Sequence, residues 1–194
     1  MILKLLKRES RVIGFDDGPT KRGENESILV GVVIRGKEYV DRVLTAKIDV
    51  DGTDATEKII GLVKKPKHFG HLRAIFLNGI SFAGFNLADI KKISEETRLP
   101  VIAAMRKPNA AKFREVASKF PDKDARLRII ENAGKIHEAK IGKTITYFQC
   151  AGISPPDAKI LLKKSIKRAT IPEAVRIAHL IAAGVVEGES RGGA

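Results

Sequence analysis

Apolar positions along this chain fall into two kinds of run. RVIGF (11–15), ILVGVVIR (28–35) and RAIFL (73–77) are almost continuously apolar, the pattern of strands covered on both faces. EYVDRVLTAKI (38–48) is rich in β-branched residues and follows Gly36-Lys37, which reads as a two-residue hairpin connection. The opening therefore predicts three antiparallel strands. Helical spacing takes over from Asp54 to Val63, apolar at Ile59, Ile60 and Val63. RAIFL is the fourth strand, a helix is expected from Asn86 to about Thr97, and PVIAAM (100–105) is a strand entered through proline. Two basic helical segments (109–119 and 123–133) and a hairpin over 135–150, turning at Gly142-Lys143, come next. One closing helix starts after Ser154-Pro155-Pro156 and runs to about Arg168. The other has Thr170 as N-cap, Glu173 completing a capping box and Gly184 as its stop. Residues 185–194 read as a disordered tail, and 1–194 as one domain without repeat or linker.

This order predicts an α/β fold: a mixed sheet of about five main strands, the first three antiparallel, flanked by helices, with an extra hairpin. A right-handed crossover through the 54–63 helix sets RAIFL parallel to the first strand. Parallel neighbours end at one edge, where α/β sheets bind ligands. Asp16 ends the first strand and Asn78 the fourth, so FDDG and LNGI face each other across a cleft.

That placement gives the carboxylates a chemistry. Acidic side chains crowded at a sheet edge need positive compensation, and a hard cation such as Mg²⁺ prefers their oxygens. Asp16 is the main candidate, since Asp17 should point to the opposite face. Asp54, in DVDGTDAT, is the natural further metal ligand. Capping of the helix by Thr53 or Asp54, and an Asx turn before Gly18, are the plainer alternatives. Asp16-x-Gly18-x-Thr20 also matches the phosphate loop of actin-like and sugar-kinase ATPases, but no second such loop follows.

Charge points to the partner. Lys and Arg number 36 against 23 Asp and Glu, a net charge of +13, which favours nucleic acid, DNA or RNA, ahead of a membrane surface. Stabilisation of a thermophilic protein is the other reading of the same excess. Lys159, Lys163 and Lys167 recur every four residues opposite Leu162, Ile166 and Ala169, a row able to track phosphates or simply a solvated face. Arg106 and Lys107, beside the cleft, are better placed for backbone contact. Cys150 is the only cysteine, which excludes an intrachain disulfide and fits a reducing cytoplasm; it reads as a small buried residue rather than a nucleophile. MILKLLKR (1–8) lacks the apolar core of a signal peptide, and no run approaches the about 20 apolar residues of a membrane span. His68 and His71 lack a third ligand, so a solvated basic loop is their simpler reading. His179 in RIAHLIAAG is either a hydrogen-bonded core residue or part of the site, with Arg176 able to share its face.

IFLNGISFAGFNLADI, LPVIAAMRKP, TYFQCAGIS and IPEAVRIAH follow the order and spacing of segments in endonuclease V. Through FDDG, VDG-x-DAT, FAGFN and PE-x-x-RIAH, over roughly residues 10–184, the chain more closely resembles a largely archaeal family, itself without an assigned function, distantly related to endonuclease V. The resemblance implies a ribonuclease-H-like fold and a nuclease using Mg²⁺ or Mn²⁺. Carried over, it makes Asp16 the first-strand metal ligand and puts Asp54 in place of the family's glutamate. Asn78 falls where endonuclease V has an Asp and would complete the metal shell through its carbonyl oxygen. His179 falls where many members have an Asp and would serve as proton donor; Lys107 would face the phosphate or the transition-state charge. The aromatic-proline wedge of endonuclease V has no counterpart in VLTAKIDVDG, and its histidines after Asp-Gly and Thr-Gly are missing from NGIS and AGIS. A non-catalytic nucleic-acid-binding protein that kept the fold is the alternative reading, and Asn78 is the residue that separates the two.

Overall fold

A computed structural model describes residues 10–36, 38–65, 71–142, 144–167 and 170–190. MILKLLKR, Lys37, His68, Lys143, Arg168, Ala169 and residues 191–194 lie outside the described residues. The three opening strands are β1 (Arg11–Asp17), β2 (Glu26–Arg35) and β3 (Tyr39–Asp49), paired antiparallel as predicted. Helix α1 (Ala55–Val63) leads to β4 (Leu72–Asn78), which lies parallel beside β1. A two-stranded ribbon, β5 (Ser81–Phe82) and β6 (Asn86–Leu87), precedes α2 (Ile90–Thr97) and β7 (Val101–Met105). Then come α3 (Ala110–Ala117), α4 (Lys123–Asn132), the hairpin β8 (His137–Ile141) and β9 (Thr144–Ala151), α5 (Pro155–Ser165) and α6 (Glu173–Glu187).

The sheet has seven strands in the order β3-β2-β1-β4-β7-β9-β8. The expected hairpin is therefore no appendage: β9 pairs antiparallel with β7 and extends the sheet. Its centre is apolar on both faces because both are covered. Ile13, Phe15, Ile75 and Leu77 pack under α1, α2 and α4 through Ile59, Ile93 and Ile130. Val12, Val30, Phe76 and Ile102 pack under α5 and α6 through Leu161, Leu162, Val175 and Ala178. Each such side chain stabilises the fold by about 1.5–3 kcal/mol. Gly14 brings α6 unusually close, since a Cβ there would sit 2.4 Å from the backbone nitrogen of Val175.

Several expected boundaries shift for tertiary reasons. Asn86 is not the start of a helix; it belongs to β6, and Asp89 caps α2 by accepting from the N–H groups of Lys91 and Lys92. The β2–β3 connection spans 36–38 rather than two residues. Helix α5 stops at Ser165, where Ile166 turns extended and buries its side chain, so Lys167 leaves the helical row. The capping box at Thr170 does not form: Pro172 is the N-cap of α6 with no side-chain bond, and Glu173 pairs with Arg176 instead. Nor does Gly184 stop α6. Burial of Ala182 and Ala183 carries the helix into the expected tail, to Glu187, and Gly188 ends it in the left-handed conformation at φ 81°.

Candidate active site

Parallel pairing of Phe15 with Leu77 sets the next residues, Asp16 and Asn78, side by side at the sheet edge. Both side chains face α6, as the two-residue alternation requires when Phe15 and Leu77 face α1. Asn78 Nδ2 donates to both oxygens of Asp16, at 3.1 and 3.2 Å. From α6, His179 Nδ1 lies 2.9 Å from Asp16 Oδ2. Asp16 is only 3% exposed, so its charge depends on these neighbours. The hydrogen bond to Asp16 holds the His179 imidazole above its ordinary pKa, against burial and the nearby charge of Arg106. An acidic residue, an amide and a histidine from three distant segments thus converge.

Asp17 faces the other way, as expected, but it is no bystander. Its Oδ2 accepts from the N–H of Ala83 at 2.7 Å. Burial first, and the charge of Asp16 second, push its carboxyl from the ordinary 3.8 up to about 7. Ala83 belongs to a loop tied down from several sides. Its carbonyl takes the Asp51 N–H, Asp51 Oδ1 takes the Phe85 N–H, and Arg126 donates to the carbonyls of Asp51 and Phe85. Arg126 is 4% exposed, paired with Asp122 and lying 4.0 Å above the Phe120 ring.

Asp54 engages a partner the sequence did not suggest. It occupies the N-cap position of α1, yet its side chain caps no helix N–H. The Ala55 N–H goes to Asn86 Oδ1, while Asn86 Nδ2 donates to Asp54 Oδ1 at 2.6 Å and to the Asp49 carbonyl. Asp54 Oδ2 faces Lys58 at 3.8 Å. The capping expectation does not describe it: the carboxylate joins a clamp centred on Asn86, which is 0% exposed. Asn78 turns its amide nitrogen to Asp16. Among the described residues no group of three or more His, Cys, Asp or Glu side chains is arranged to hold a metal ion.

Beside Asn78 a cavity of about 440 Å³ opens beyond the ends of β4 and β7, walled by Met105, Phe113 and Ile130. Lys107, Arg114 and Lys135 line it, and among the described residues no acidic one does. Lys159 and Lys163 are exposed on α5, and Lys167 is exposed beyond it. Cys150 is half-buried with its thiol pKa raised by burial, which suits no nucleophile, and His71 is exposed. Asn86, Arg126 and Gln149, a buried residue lining the cavity, escaped the sequence reading. Asn86 carried the one available signal, a lone amide inside the apolar stretch FAGFNLA.

This arrangement defines an endonuclease V-like mixed α/β fold. Ciona intestinalis endonuclease V, in complex with a 24mer DNA containing an inosine followed by a ribo-adenosine, superposes with a TM-score of 0.62 at 16% identity, covering 93% of this chain and 87% of that one. The chain belongs to the Endonuclease dU family, whose signature matches residues 8–186. A UPF0215 protein of Methanothermobacter thermautotrophicus is 47% identical over 97% of this chain and 94% of its own length. The crystal structure of a protein of unknown function from Archaeoglobus fulgidus is 38% identical with a TM-score of 0.82, covering 92% of this chain and 98% of that one. No helix among the described residues is long and apolar enough to cross a membrane.

Proposed function

We propose that the protein is a divalent-cation-dependent endonuclease that cleaves DNA at or near a deaminated base. The observation that carries this is the convergence of Asp16, Asn78 and His179 at the sheet edge, next to a cavity whose charged lining is wholly basic. Mg²⁺ or Mn²⁺ fits the donors: the oxygens of Asp16 are hard and nearly desolvated, and a side-chain rotation of Asn78 offers an amide oxygen. Such a cation, when bound, acidifies water and neutralises charge on a phosphate. Asp16 and Asn78 would hold it, with Asp54 keeping the start of α1 in place.

The chain's own groups divide the remaining work. Asp16 keeps His179 inclined to carry a proton, with Nε2 free of the bond made at Nδ1, and from there the proton can pass to the leaving oxygen. Lys107 and Arg106 bind the scissile phosphate region, while Lys159, Lys163 and Lys167 follow the strand further out. The cavity receives a base turned out of the stack; its volume of about 440 Å³ is in the range of small-molecule sites. The name of the Endonuclease dU family and the inosine-containing DNA of the Ciona complex both point to deaminated bases, and to DNA before RNA.

Incubation with Mg²⁺ or Mn²⁺ on single- and double-stranded DNA and RNA carrying deoxyuridine or deoxyinosine tests the reading. Cleavage should disappear in Asp16→Ala. Cleavage that survives Asp16→Ala refutes the site. Asn78 also favours a second reading, a non-catalytic DNA-binding protein, because its amide supplies Asp16 with the compensation a cation would give. Binding without cleavage in the same assay would select that reading.

A further inference from the structure

We infer that Gln149 reads the base in the cavity, and that it selects keto bases carrying a ring N–H, such as uracil and hypoxanthine, over cytosine and adenine. The inference rests on the proposed function, whose substrate class it narrows to one hydrogen-bonding edge. Gln149 sits on β9 opposite Ala103 of β7. It is 6% exposed and lines the cavity together with Gly134 and Asn78.

Its orientation is fixed from one side. Gln149 Nε2 donates to the Gly134 carbonyl at 2.8 Å. A carbonyl accepts only, so the nitrogen must point there and Oε1 must be the other end. Gly134 is itself held after α4, where its N–H bonds the Glu131 carbonyl at 2.9 Å. Among the described residues Oε1 accepts no hydrogen bond, and it is not among the buried polar atoms left without a partner, so it opens onto the cavity. The cavity, lined also by Met105, Phe113 and Ile130, therefore holds an acceptor that cannot turn into a donor without breaking the Gly134 bond.

A fixed acceptor distinguishes the two chemical classes of base. Uracil N3 and hypoxanthine N1 carry a hydrogen. The same ring positions in cytosine and adenine present a lone pair, which opposes Oε1 and leaves a buried acceptor unsatisfied. Deamination converts the second class into the first, so the acceptor favours the damaged base over its parent. Thymine and guanine share the ring N–H; in duplex DNA the choice among keto bases then falls to ease of extrusion, greatest at a mismatch.

The test uses the full chain and single-stranded oligonucleotides made only of dA and dC, with one central position varied. That position carries deoxyuridine, deoxyinosine, deoxycytidine or N3-methyldeoxyuridine, and binding is followed by fluorescence anisotropy in EDTA so that no cleavage intervenes. Wild type should bind the deoxyuridine and deoxyinosine strands about tenfold more tightly than the other two, the size of one well-placed hydrogen bond. Gln149→Leu should bind all four as weakly as wild type binds deoxycytidine. Because N3-methyldeoxyuridine removes the donor from the ligand, the comparison with wild type alone stands even if the variant does not fold. Equal binding of all four strands by wild type, or a preference that persists in a folded Gln149→Leu, overturns the assignment while leaving the nuclease reading to its own assay. Failure to bind any strand likewise overturns the assignment, and the nuclease reading is still decided by its own cleavage assay with Mg²⁺ or Mn²⁺.

Discussion

Asp17 offers the most direct test of the electrostatics at this edge. Its carboxyl is partly buried, accepts one N–H from Ala83, and has been lifted from 3.8 to about 7 by burial and then by the charge of Asp16. A raised carboxyl pKa means that the folded state prefers the protonated form. The associated stability is fully present below the unfolded value of 3.8 and is lost as pH rises through about 7. A shift of about three units at 1.36 kcal/mol each sets a ceiling of about 4 kcal/mol. Solvent reaching a partly buried group screens this, leaving about 2 kcal/mol. Asp17→Asn retains an oxygen for the Ala83 N–H and cannot ionise. The difference in unfolding free energy between wild type and Asp17→Asn, from urea titrations in EDTA at fixed ionic strength, should therefore move by about 2 kcal/mol in favour of the variant between pH of about 4 and 8. Titrating groups that do not feel the Asp17 charge cancel in that difference. A difference that stays constant across the range refutes the argument, because it would mean that Asp17 ionises as easily in the fold as outside it.

Three further perturbations report on neighbouring contacts. Asn86→Ala strips partners from the Ala55 N–H, the Asp49 carbonyl and Asp54 at a fully buried position, and should destabilise by about 2–4 kcal/mol in denaturant melts; a loss below about 1 kcal/mol would show that water replaces the clamp. Gly14→Ala drives a methyl into the backbone of Ala174 and Val175, and should cost about 1–3 kcal/mol, with α6 losing hydrogen-exchange protection before the rest of the sheet. Asp16→Asn removes the main group that raises the His179 pKa, so the imidazole should titrate lower by NMR, with burial and Arg106 then opposed only by Asp17. An unchanged His179 titration would break the link drawn between them.

How much of this was legible follows from the range of the interactions. The doubly apolar run RVIGF could only be a central strand, and parallel strands share their C-terminal edge, so the meeting of Asp16 and Asn78 followed from topology. His179 came through a resemblance, since nothing local distinguishes RIAHLIAAG from a core helix. The alternative that Asp54 caps α1 failed because capping is a local rule, whereas the partner of the Ala55 N–H is Asn86, 31 residues away. The same rule misled at Thr170, where the chain commits Glu173 to Arg176. Arg126 looks like one more surface charge in KDARLRIIEN until the loop it ties down is seen. Gln149 sits in YFQCA, where both faces of the strand are covered and alternation gives no cue.

The substitution of an amide for a carboxylate at Asn78 decides how the edge balances its charge. In the absence of a cation, its two contacts with Asp16 offset a carboxylate that is only 3% exposed. Asn78→Asp would replace those donors with a further negative charge beside Asp16 and, one residue on, Asp17. The variant should lose about 2–3 kcal/mol in EDTA, because repulsion replaces hydrogen bonding in a poorly solvated site. The same charge should tighten a hard cation, since affinity at oxygen sites rises with the number of carboxylates. Mn²⁺ should therefore restore the lost stability, with a larger concentration-dependent rise in Tm than in wild type, and calorimetry should register tighter binding. If Asn78→Asp is as stable as wild type in EDTA and gains nothing extra from Mn²⁺, Asp16 and residue 78 do not share a cation. The catalytic reading would then give way to the binding one.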